Sequence, residues 1–256
     1  MAEQLQVMAP EDDPVQAAGQ TLDGPTMQNI ASQLFGWELA EGDVEILKKP
    51  NGHKIVLGEG GYGKVYKGSL WKGQFIVAVK EFNEPAGRDR RRMGEEMKIL
   101  ANMHSPYVTQ FIGVCFKPKL RMVMEFLEGG SLYDALGDDE MGLFSWYKRG
   151  SRIALEVAQG LFALHKRNII HFDIKSPNIL LAADLSAKIC DVGIAKQATR
   201  TKTSAGDGSG FTWNYAAPEQ INNALCSTKA DIYAYGVVLW EIVTGDRANR
   251  GQLHKA

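Results

Sequence analysis

Residues His171-Phe-Asp173-Ile-Lys175-Ser-Pro-Asn178-Ile-Leu-Leu181 concentrate groups able to do chemistry in this 256-residue sequence. An aspartate, a lysine and an asparagine share one short loop ahead of an apolar run, and Asp191-Val-Gly193 follows ten residues after that run. Carboxylate and amide oxygens are hard ligands that suit Mg2+ held together with phosphates. Asp173 could accept a hydroxyl proton, and Lys175 could neutralise charge on a moving phosphoryl group. Taken singly, each of these residues also reads as part of an ordinary solvated loop.

Two earlier segments carry matching chemistry. Gly58-Glu59-Gly60-Gly61-Tyr62-Gly63-Lys64-Val65 lets backbone N–H groups approach phosphates without Cβ obstruction. A dinucleotide-binding loop would need a helix next, yet Lys64–Gly68 is strand-like; a Walker-type loop would need Ser or Thr where Val65 stands. A glycine hairpin between two strands remains, a pattern shared by a tight turn with no ligand. Val77-Ala78-Val79-Lys80 ends an apolar strand with a lysine. That lysine is either an edge residue with its ammonium in water or half of a buried pair. Glu96, beside Met97 and Leu100, is the partner for the second reading; Glu95 would face elsewhere.

The elements that must position these groups fall in two halves. Strands are predicted at Lys54–Leu57, Lys64–Gly68, Phe75–Phe82, around Val108–Cys115 and around Arg121–Phe126, with one amphipathic helix over Arg88–Met103. After Gly129-Gly130 helical periodicity dominates. Ser151–His165 places Ile153, Val157, Leu161 and Leu164 on one face. Short strands are predicted at Ile169–Ile170, Ile179–Leu181 and Ala187–Ile189. Ile232–Val243 is apolar nearly all round, with Glu241 its only charge, and so belongs at the centre of a domain. A β-rich half followed by a helical half defines a two-lobed α+β protein.

Composition narrows the class. With 45% hydrophobic and 23% charged residues the chain is ordinarily globular, and its net charge of −1 gives no reason to expect a nucleic-acid binder. Residues 1–47 carry nine acids and no Lys or Arg, so the remainder is basic, which suits an anionic ligand and equally a plain solvated surface. Residues 1 to about 36 are expected to be mostly disordered, with a short helix near Met27–Phe35. Three cysteines without CxxC spacing point to reduced thiols. No secretion signal, transit peptide or 18-residue apolar run is visible, so the expected location is the cytoplasm.

The set G-x-G-x-x-G-x-V, V-A-V-K, H-F-D-I-K-x-x-N, D-V-G and Ala217-Pro218-Glu219 resembles the eukaryotic protein-kinase domain, with every major landmark in order over roughly residues 54–245. The resemblance implies an acidic, mostly disordered segment at 1–50 and a kinase domain at 51–256, with a β-rich N-lobe to about 127 and a helical C-lobe from about 128. It implies ATP and Mg2+ as cofactors and serine/threonine-bearing proteins as substrates. The glycine loop with Leu57, Val65, Ala78 and Leu180 would enclose the nucleotide, beside a hinge at Glu125-Phe126-Leu127 with Met124 as gatekeeper. Lys80, paired with Glu96, would contact the α/β-phosphates. Asn178 and Asp191 would hold magnesium, and Asp173 would be the base. Lys175 and Thr212 resemble serine/threonine kinases; Trp213 and Gly-Gly-Ser-Leu132 resemble the tyrosine-kinase-like, Raf-like group. Three departures stand out. Phe172 replaces an arginine that usually receives an activation-segment phosphate. Val192 replaces a larger phenylalanine. The family's last helices do not follow Gly245, so the domain is expected to be truncated, with Glu219 lacking its basic partner and one side of the last helix uncovered. The alternative reading is a catalytically inactive, pseudokinase-like nucleotide-binding or scaffold domain.

Overall fold

Successive β-branched and aromatic residues on either side of a tight Trp71–Gln74 turn build the central hairpin. In the computed structural model, which describes residues 32, 34–60, 63–83, 88–139, 141–192, 196–197, 203–204 and 212–248, β3 (Gly63–Leu70) pairs antiparallel with β4 (Phe75–Phe82) in the register Val65↔Lys80. Gly73 supplies the turn with φ +91°. β1 (Val44–Ile46), β2 (Val56–Gly60), β5 (Phe111–Cys115) and β6 (Arg121–Glu125) complete one antiparallel sheet, ordered β1-β3-β4-β6-β5 with β2 also on β3. α1 (Arg88–Ala101) packs on β5 with Met93, Met97 and Leu100 buried, the stripe that its spacing predicts.

The helical half starts at α2 (Leu132–Gly137), whose N-cap Ser131 accepts the Asp134 N–H at 3.1 Å. α3 (Ser151–His165) buries Ile153, Val157, Leu161 and Leu164 as predicted. Around it lie β7 (Ile169–Ile170), the hairpin β8 (Ile179–Leu181) with β9 (Ala187–Ile189), β10 (Lys196–Gln197), β11 (Thr203–Ser204), α4 (Pro218–Ile221) and β12 (Leu225–Cys226). The lobes join through Thr109, whose N–H and hydroxyl both reach the Ile189 carbonyl.

α5 (Lys229–Thr244) is buried on one side and open on the other, in line with the expectation of a last helix with one side uncovered: Val238 and Ile242 are buried, while Ile232, Tyr233 and Val243 face outward, and among the described residues no helix follows it. It ends at Gly245, whose φ of +74° allows its N–H to close on Glu241 O. Of the segment 1–50 that was expected to be mostly disordered, residues 34–50 are built into the structure, with Leu34 buried and β1 extending the sheet on β3; residues 1–31 and 33 lie outside the described residues. Most of the predicted Met27–Phe35 helix lies outside the described residues. No helix among the described residues is long and apolar enough to cross a membrane.

Candidate active site

Lys80 lies in the middle of the sheet, flanked by Val65 on β3 and Met122 on β6, so its backbone is fixed on both sides. Its ammonium lies 2.6 Å from Glu96 Oε1 and 3.3 Å from Asp191 Oδ1. Burial alone would pull Lys80 down, but the two carboxylates outweigh it and hold the group well above its ordinary value. Burial pushes the Glu96 carboxyl up, opposed by Lys80. For Asp191 burial is outweighed by Lys80, and the pKa is lowered. Asp191 adopts φ +56°, with its side chain half exposed. Val192 behind it is fully buried in the core, so the smaller plug is seated.

The loop between β7 and β8 is shaped by a residue that the motif spacing did not reveal. Asp231, on the first turn of α5, accepts the N–H groups of His171 and Phe172 at 2.9 Å each and lies 2.8 Å from His165 Nε2. Its only signal in the sequence was a charge at the edge of an otherwise apolar run. His171 Nε2 in turn reaches Cys190 O at 3.0 Å, linking the loop to Asp191. Phe172 is buried against Ile170, Ala217, Cys226 and Ala230, and its carbonyl receives Gln220 Nε2.

This frame presents Asp173. Its Oδ1 accepts Thr212 N–H (3.1 Å) and Thr212 Oγ1–H (2.8 Å), and its Oδ2 faces Lys175 Nζ (2.6 Å) and Asn178 Nδ2 (3.0 Å). Lys175 also donates to Thr212 Oγ1 at 2.8 Å. Asn178 spends its amide N–H groups on Asp173, which leaves its carbonyl oxygen as an open hard donor; Asp191 Oδ2 is a second. Two such donors match what Mg2+ needs when phosphates and water supply the rest.

The predicted nucleotide-enclosing residues differ in burial from their neighbours along the strands. Val65, Ala78 and Leu180 are half-buried and Leu57 is exposed, whereas the neighbouring Tyr66, Val79 and Leu181 are buried. Gly60 pairs with Gly63 to close the glycine hairpin, with Glu59 and Lys64 3.0 Å apart across it; Gly61 and Tyr62 lie outside the described residues. A Cβ on Gly63 would strike the Glu81 carbonyl, so only glycine fits there. At the hinge Leu127 is buried, and the Glu125 carboxylate is held by Lys188 at 2.7 Å and by Gln110 N–H at 2.7 Å. Lys188 is a second residue that the sequence reading missed.

Residues 53–255 match the model of the protein tyrosine and serine/threonine kinase family. The chain belongs to that family, whose members generally use ATP and Mg2+. It is 39% identical over 209 residues to a probable receptor-like serine/threonine-protein kinase of Arabidopsis thaliana, covering 78% of this chain and 35% of that protein. To the probable serine/threonine-protein kinase PBL26 of the same plant it is 36% identical, covering 88% of this chain and 55% of that protein. To the serine/threonine-protein kinase STY46 it is 34% identical, covering 76% and 33%. The chain thus spans about a third to a half of the length of these curated relatives.

Proposed function

We propose that this chain transfers the γ-phosphoryl group of ATP to serine or threonine hydroxyls of protein substrates, with residues 51–256 as the kinase domain. What carries the reading is the placement of Asp173 and Thr212 around Lys175, next to Asn178 and Asp191, with Lys80 aimed into the same cleft. Leu57, Val65, Ala78 and Leu180 would enclose the adenine, the backbone of Gly58, Glu59, Gly60 and Gly63 would cover the phosphates, and the hinge backbone at Glu125 and Leu127 would face the base edge. Asn178 and Asp191 would hold Mg2+, which would supply charge neutralisation at the phosphates. Lys80 orients phosphate oxygens while Glu96 holds its ammonium still. Asp173 accepts the proton of the attacking hydroxyl, and Lys175, fixed between Asp173 and Thr212, balances negative charge near the acceptor oxygen. Thiols at Cys115 and Cys190 support a reducing compartment, the cytoplasm.

The deciding measurement is Mg2+-dependent ADP release and phosphate incorporation into a generic Ser/Thr substrate protein, with Asp173→Asn as control. Transfer by the wild-type chain and not by the variant is expected. ATP binding with equal, negligible transfer in both proteins would establish the inactive alternative instead.

A further inference from the structure

Among the described residues, two ion pairs cross from one lobe to the other. Lys80–Asp191 belongs to the site already described. The second joins Lys188 on β9 to Glu125 at the end of β6, 63 residues apart in sequence. Lys188 falls in none of the sequence motifs, and the roles assigned above leave it without a task.

Its surroundings tie it to the nucleotide residues from both lobes. In the β8–β9 hairpin the register Leu180↔Lys188 sets its stem beside Leu180, on the same face. In the small lobe its ammonium lies 2.8 Å from Glu125 Oε1 and 2.7 Å from Oε2. Glu125 Oε1 also accepts the Gln110 N–H at 2.7 Å, and the Gln110 carbonyl takes the Glu125 N–H at 3.0 Å. One ammonium on two oxygens, with a backbone donor on the first, holds the carboxylate in a single orientation. The paired side chains are only 18% and 21% exposed, so this is not the freely solvated kind of ion pair that contributes little.

The strands that carry the pair are themselves fixed. Ile189, next to Lys188, donates its N–H to Tyr107 O, and its carbonyl accepts the Thr109 N–H, both at 2.9 Å. Leu181, next to Leu180, exchanges backbone hydrogen bonds of 2.8 Å with Gly129 and Gly130. Between these two ties runs the hinge, Glu125-Phe126-Leu127, and the ion pair grips its first residue.

We propose that Lys188 is a positioning residue for the nucleotide: through Glu125 it fixes the spacing between the hinge backbone and Leu180 before ATP arrives. This rests on the kinase reading above. Preorganisation of this kind is expressed as affinity. Because it acts at the base and not at the reacting phosphate, losing it raises KM for ATP without a matching fall in kcat.

The test measures adenosine and ATP binding by calorimetry, together with KM for ATP and kcat on a generic Ser/Thr substrate protein. It compares the wild-type chain with Lys188→Met, Lys188→Arg, Glu125→Gln and the Lys188→Met/Glu125→Gln double variant. Lys188→Met should weaken adenosine and ATP alike by roughly tenfold and raise KM for ATP to match, with kcat at saturating ATP within about threefold of wild type. Lys188→Arg keeps a cation able to meet both oxygens and should restore most of the affinity. In the Glu125→Gln background Lys188→Met should cost less than about threefold, because the partner's charge is already gone. If Lys188→Met does not fold, Lys188→Gln takes its place in the same cycle. Unchanged adenosine affinity in Lys188→Met, additive losses in the double variant, or a fall in kcat as large as the rise in KM would overturn the proposal. A wild-type chain that binds ATP yet transfers nothing would refute the kinase reading instead, and the adenosine cycle would still decide the role of Lys188. A wild-type chain without affinity for adenosine or ATP would overturn both.

Discussion

Asp231 Oδ1 accepts the backbone N–H of Phe172 at 2.9 Å, across 59 residues of sequence, while Phe172 is held at φ +68°. A bulky residue in the left-handed region is strained, and such strain persists only where the surroundings over-determine it. The buried carboxylate supplies that determination, since its Oδ2 also takes the His171 N–H. The loop that presents Asp173 is therefore fixed from beneath by α5.

Replacing Asp231 by Ala orphans two buried backbone donors, at about 1–3 kcal/mol each. Urea unfolding is expected to show a loss of that order, and ADP release should fall because the loop relaxes. An Asp231→Ala protein with unchanged midpoint and activity would remove the role assigned to this carboxylate.

This residue also marks the limit of what the sequence disclosed. Lys80, Glu96, Asp173, Asn178 and Asp191 were legible because their chemistry lies in residue type and local spacing. Asp231 and the Lys188–Glu125 pair act across 59 residues or more, and no local period encodes that. The packing of residues 34–46 against the sheet was hidden for another reason. Leu34, Trp37, Val44 and Ile46 lie in an acidic stretch whose extended pieces are too short to establish a period. The central strands and helices were legible because their buried faces repeat; which side of α5 is buried was not legible from its own pattern, because apolar residues there also face outward.

Asp173→Asn keeps an oxygen for the Thr212 hydrogen bonds but removes the proton acceptor and the charge facing Lys175. A positioned general base contributes about 10²–10⁴-fold. Single-turnover phosphoryl transfer should fall by that factor while nucleotide affinity, measured by calorimetry, changes little. Comparable turnover in the variant would sink the assignment of Asp173 as base.

Lys80→Met leaves Glu96 buried without its cation, and breaking such a pair costs about 3–5 kcal/mol. Because burial raises the Glu96 carboxyl, that penalty applies to the ionised form and shrinks as falling pH protonates it. The variant should lose transfer activity strongly, melt lower at pH 7, and approach wild-type stability in mild acid. Equal melting temperatures at pH 7 would refute a buried Lys80–Glu96 pair.

Glu241 is fully buried, with Oε1 held by Tyr215 OH and Ala248 N–H and, among the described residues, no hydrogen bond to Oε2. Burial raises its pKa, only partly offset by those donors, by Ser176 and by Arg247. The unfolded chain, at about 4.3, thus ionises first. Stability falls as pH climbs from that value to the folded pKa and stays reduced above it. Glu241→Gln removes the titration and retains the Oε1 acceptor. Its melting temperature should match or exceed wild type at pH 7, and lose that advantage at pH 4. An advantage that grew toward pH 4 would contradict the sign.

Phe172 fills the position at which the family usually carries an arginine for an activation-segment phosphate, and the structure shows what replaces that contact. Its ring is 3% exposed, packed on Ile170, Ala217, Cys226 and Ala230. The segment is held by backbone pairing instead, Lys196–Gln197 on β7 and Thr203–Ser204 on β12. Phosphate-driven ordering works through charge-assisted bonds to arginine, and a phenyl ring makes none. Phosphatase treatment of the wild-type chain is therefore expected to change ADP release by less than about twofold. Phe172→Arg does not simply restore phosphate control, because a guanidinium in this apolar cluster is an uncompensated buried charge costing about several kcal/mol. The variant should melt well below wild type, and phosphorylation should recover little of the loss. A large fall in wild-type activity on dephosphorylation would show that another cation receives the phosphate.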